Sequence, residues 1–108
     1  MKLVLMIDGK EKIFTVSFVS GLMLRKLMQM DERIDYTDLS VDEYDELAGF
    51  VAEVFGNQFT ADEFLDGVKS FKTLSVVGDV FSFVRTGEDP QSRNKPVKED
   101  EEGNAQGK

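Results

Sequence analysis

Across Lys2 to Val16 the chain reads as two short apolar runs, KLVLMI and KEKIFTV, on either side of Asp8-Gly9, with an imperfect alternation of apolar and polar positions in the second. An Asp-Gly pair between two apolar runs is a strong hairpin signal, because a tight two-residue turn needs positive φ at both central positions. Leu3, Leu5 and Ile7 share one face of the first strand, and Phe14, Val16 and Phe18 extend that face through the second. A two-stranded ribbon is marginal alone, so this one is expected to lie on helices.

From Ser17 the period changes to that of a helix. Leu24, Leu27, Met28 and Met30, preceded by Leu22 and Met23, form an apolar stripe with Arg25, Lys26, Gln29 and Glu32 outward, predicting a helix over about 20–31. Ser40 and Glu43 fit a capping box that opens a helix over 41–55. Tyr44, Leu47, Ala48, Val51, Val54 and Phe55 recur on its buried face, and Gly56-Asn57 supplies the left-handed stop. A second box, Thr60 to Glu63, opens a short helix over 61–69 that carries Phe64, Leu65 and Val68 inward, and Gly67 permits a tight bend or close backbone approach. In 70–86, Leu74, Val77, Phe81 and Val84 form a helical stripe with Phe71 and Val80 beside it. The valines around Gly78-Asp79 also suit a hairpin, and the helix over 72–85 is the reading adopted. Val76 or Phe83 is left over for a partner.

The fold class predicted is α+β: a small N-terminal antiparallel β-hairpin packed on a bundle of about four helices. One folded domain spans 1–86. Residues 87–108 hold both prolines, no aromatic residue and the acidic run Glu99 to Glu102, and are expected to be disordered because they cannot bury enough apolar surface to offset ordering entropy.

Charge and composition narrow the function. The formal net charge is −8, and between Asp31 and Asp66 the only cation is Arg33. Such a surface repels phosphate backbones, which argues against nucleic-acid binding. It suits a solvated face or a dock for a basic partner. No apolar run is long enough to span a bilayer and no signal peptide is recognisable, so a soluble protein of the cytoplasm is expected. The chain has no histidine and no cysteine. The usual neutral-pH base, the thiol nucleophile and the commonest metal ligands are therefore missing. The carboxylates around Asp31–Asp38 lack the glycine and distal glutamate of a calcium loop. Neither an enzyme nor a cofactor-binding protein is expected.

The order of elements, the DGK hairpin and the stretch Phe59-Thr60-Ala61-Asp62-Glu63-Phe64-Leu65-Asp66-Gly67-Val68 resemble the tail assembly chaperones of long-tailed bacteriophages of Gram-positive bacteria, with their FT-x-x-E-[FL]-L-x-G-[VL] element. The resemblance covers about Met1 to Arg85. It implies a non-enzymatic protein of the host cell cytoplasm that binds the long, helical, aggregation-prone tape measure protein, keeps it soluble while the tail tube assembles, and is absent from the mature virion. It also implies a longer frameshifted form that recruits the tail tube protein. A chaperone for an amphipathic helix needs an apolar groove and an acidic rim. The residues expected to form the groove are Met23, Leu27, Met30, Phe50, Val54 and Phe83, and those of the rim are Asp42, Glu46 and Glu53. On that reading, charged residues at Met30 and Phe83 abolish partner binding and leave the fold intact. Two other classes compete: an acidic DNA mimic that inhibits a host nucleic-acid-binding protein, and a structural adaptor that stays in the particle. Homo-oligomerisation is left open.

Overall fold

The computed structural model describes residues 1–90. Strands β1 (Lys2–Ile7) and β2 (Lys10–Thr15) are followed by helices α1 (Gly21–Arg33), α2 (Val41–Val54) and α3 (Ala61–Gly67), a 3-10 turn at Ser70–Lys72, and helix α4 (Thr73–Thr86). This is the hairpin-and-four-helix arrangement that the periodicity predicts. The expected disorder of the C-terminal stretch lies, from residue 91 onward, outside the described residues.

β1 and β2 pair antiparallel, with Leu3 opposite Phe14 and Val4 opposite Ile13. Asp8 and Gly9 take φ of 55° and 78°, the double positive φ that closes a two-residue hairpin. One face of β1 is buried through Leu3 and Leu5, and Val4 and Met6 point outward. Both capping boxes form: the Ser40 and Thr60 hydroxyls accept from the backbone N–H of Glu43 and Glu63, whose carboxylates accept from the cap N–H groups in return. Gly56 and Asn57, with φ of 68° and 59°, end α2.

α2 is the central element. Leu47, Ala48, Phe50, Val51, Ala52 and Val54 are all buried, so its second half is enclosed on most sides by α3, α4 and the hairpin end of the core. Phe59 joins the layers: its ring lies 4.9 Å from Phe14 of β2, 5.5 Å from Phe55 and 6.3 Å from Phe64 of α3. Gly67 then brings α3 against the free edge of β1. A Cβ there would stand 2.9 Å from the Met6 carbonyl oxygen and 3.0 Å from Leu5 Cβ.

Four expectations about orientation are corrected. Phe18 is 80% exposed, because β2 ends at Thr15 and the alternation that would have turned it inward stops with it. On α4, Val77, Val80 and Phe81 are buried and Val84 packs on the core as expected, but the buried set also takes in Thr73, Val76 and Phe83, and the first turn faces outward at Leu74. Phe71 and Leu74 are exposed, and Val76 and Phe83 are buried rather than left over. Leu22 and Met28 also face outward on α1, flanking Arg25.

Candidate functional site

Apolar side chains left at the surface are the features a binding protein can use, and they fall in distinct places. The first is a hollow between the segment that joins β2 to α1 and the C-terminal end of α2. Val16, Phe18, Val19 and Met23 line one side, and Glu53 and Val54 line the other, around a space of about 490 Å³. The strand ends at Thr15 and α1 begins only after Ser20, so the intervening residues cross the end of α2 in extended form, with Ser20 at φ −76° and ψ 161°. That crossing holds the exposed Phe18 ring beside the flexible Met23 thioether. Lys26 bonds the Glu53 carboxylate at the rim.

A second surface, about 380 Å³ in volume, lies at the opposite end of α2, where Tyr36, Leu39, Val41 and Tyr44 face Leu74 of α4. Val41 is 76% exposed because it occupies the first position after the Ser40 cap, ahead of the buried face. Phe71, 79% exposed, stands one turn before Leu74.

The residues expected to form a groove are distributed differently from the expectation. Leu27, Met30, Phe50, Val54 and Phe83 are all buried, Met30 and Leu27 completely. They fill the interior because α1, α2 and α4 turn those positions toward one another. Charged residues at Met30 and Phe83 would therefore disrupt packing, contrary to the expectation that the fold survives them. Met23, Glu53 and the edge of Val54 do come together, in the Phe18 hollow. Of the expected rim, Asp42 is exposed in the first turn of α2, where the helix dipole favours a carboxylate. Glu46 is held by Arg33 at 2.6 Å, and Glu53 by Lys26. Phe18, Val41, Phe71 and Leu74 were not singled out for a partner. For Val41 a signal existed, in the position directly after a helix cap.

The titratable groups are set by structure rather than tuned for proton transfer near neutrality. Burial, then the hydrogen bond it donates to Asp31 at 2.7 Å, raises the Tyr36 hydroxyl above its ordinary range. Asp35 is held below the usual carboxylate range by the Thr37 hydroxyl and backbone N–H, both of which donate to it. The guanidinium of Arg33 is raised by the bond to Glu46. Among the described residues no group of three or more acidic side chains is arranged to hold a metal ion, and no helix is long and apolar enough to cross a membrane.

Comparison with known proteins gives one result. A family model described as phage tail chaperone protein matches residues 1–106. No curated protein and no solved structure matches the chain.

Proposed function

The chain belongs to the phage tail chaperone protein family, and from that membership we infer that it binds the tape measure protein and keeps it soluble in the host cytoplasm while the tail tube assembles. The family match over nearly the whole chain is the observation that carries this reading. Its non-enzymatic character agrees with a chain that has neither histidine nor cysteine.

The proposed docking surface is the Phe18 hollow. An amphipathic helix presents anchors at every third or fourth residue and needs an apolar channel between two elements to receive them. The hollow lies between such elements, and Phe18 and Met23 supply an exposed ring and an adaptable side chain. The acidic faces of α2 and the following segment would keep the loaded complex dispersed by like-charge repulsion. The chaperone leaves before the particle is complete, and a longer frameshifted form recruits the tube protein; both belong to this proposal.

Co-purification with co-expressed tape measure protein tests it. Binding through an apolar channel should persist at about 1 M salt, where charges are screened beyond roughly 3 Å. Phe18→Asp should abolish capture with little change in stability, and Leu74→Asp should retain it. Capture that vanishes with salt, or that depends on Leu74 and not on Phe18, would contradict the proposed surface. Strong salt-dependent capture of basic host proteins instead would favour the DNA-mimic class.

A further inference from the structure

Three lysines of this acidic chain gather beside the outer edge of β1. Lys2, Lys69 and Lys72 rim a groove of about 390 Å³ between β1 and the α3–α4 junction, floored by Val4, Val68 and Val76, with Glu11 of β2 the one carboxylate in its lining. The described ion pairs use Lys26, Arg33 and Arg85, and none uses these three lysines.

The groove runs along the edge of β1 that faces away from β2. Met1 and Val16 exchange both of their hydrogen bonds, so by alternation Lys2, Val4 and Met6 direct their main-chain groups to the opposite side. At one end of this edge the Lys2 N–H already donates to a carboxylate, that of Asp89, at 3.4 Å. At the other end Gly67 closes on Met6. Between them the Val4 N–H and C=O carry no hydrogen bond among the described residues and open into the groove.

We propose that this groove receives a short extended segment of a partner protein in which carboxylates alternate with apolar residues. The segment pairs with the Val4 main chain as a one-residue strand addition, places an apolar side chain on Val68 and Val76, and sets its carboxylates against Lys69 and Lys72. Charge complementarity selects this occupant. A second copy of the chain would bring its own lysine-rimmed edge against an identical one, and a basic segment would meet three lysines against the single Glu11 carboxylate of the lining.

The test titrates the full chain with a labelled ten-residue peptide of alternating valine and glutamate, and follows backbone amides by NMR. Shifts centred on Val4, Met6 and Val68 are expected, with binding about tenfold weaker in the Lys69→Glu, Lys72→Glu double variant. Both lysines are exposed, so the variant should fold. Equal binding of a valine-lysine peptide, unchanged affinity in the double variant, or shifts confined to the Phe18 hollow would overturn the proposal. So would a shift of the Val4 and Met6 amides when Glu99, Asp100, Glu101 and Glu102 are replaced by their amides without added peptide, since the chain's own acidic run would then be the occupant.

Discussion

Gly67 shows how a single position couples α3 to the hairpin. Any side chain there would run into backbone at Met6, which cannot move aside as a flexible side chain could. Gly67→Ala should therefore destabilise the protein by about 1–3 kcal/mol, read as a lower urea midpoint with an unchanged slope; an unchanged midpoint would mean the contact relaxes freely. Its neighbours have equally structural reasons. Phe59 bridges three elements, Thr60 and Glu63 cap α3, and Phe64 is completely buried, so Phe64→Ala should cost about 3–5 kcal/mol. The cap and the close approach at Gly67 were legible in the sequence because both are local backbone chemistry, whereas the bridging place of Phe59 came only with the packing. Phe18 was not legible either, since its direction depends on where β2 stops. Asp35 offers a pH test at the same scale. Its lowered pKa means that the bond from Thr37 stabilises the folded state above the ordinary carboxylate range and is lost as pH falls through the lowered value. Thr37→Val should move the Asp35 titration upward by NMR; an unmoved titration would show that the hydroxyl does not hold it.

Among the elements, α1 and α4 carry the contrast between interior and surface. Met30 is fully enclosed, whereas Phe71 at the head of α4 is open to solvent. A charge at Met30 has no partner and no route to water, so Met30→Lys should remove more than about 4 kcal/mol, most of the stability of a small domain. Phe71→Asp should stay within about 0.5 kcal/mol. Thermal unfolding of both variants checks the pair, and equal effects would contradict the assigned burial. The helices themselves were legible from period and caps. The start of α4 was not: a 3-10 turn at Ser70–Lys72 precedes it, and Phe71 and Leu74 stand outside while Val77, Val80 and Phe81 face the core as expected. The same limit explains the candidate groove: of the residues expected there or at its rim, Met23, Val54 and Glu53 line the Phe18 hollow, while Leu27, Met30, Phe50 and Phe83 are buried in the interior. A helix stripe gives which residues are apolar, and only the packing of its neighbours decides which of them remain outside.

Over the whole molecule, charge is segregated. The middle of the chain is almost wholly acidic, and part of it is tied down by Lys26–Glu53, Arg33–Glu46 and Arg85–Asp31, which link α1 to α2 and to α4. These pairs are exposed and each contributes no more than about 1 kcal/mol. None of them draws on Lys2, Lys69 or Lys72, the lysines beside the β1 edge. An acidic body, an apolar hollow at one end of α2 and a basic groove beside the hairpin give three surfaces of different chemistry among the described residues. Such surfaces suit a member of the phage tail chaperone family. The most direct measurement is the soluble fraction of tape measure protein expressed with and without this chain. Wild type should raise that fraction and appear in complex with it, and the folded Phe18→Asp variant should not. A tape measure protein whose solubility is unaffected by the wild-type chain would contradict the chaperone function outright.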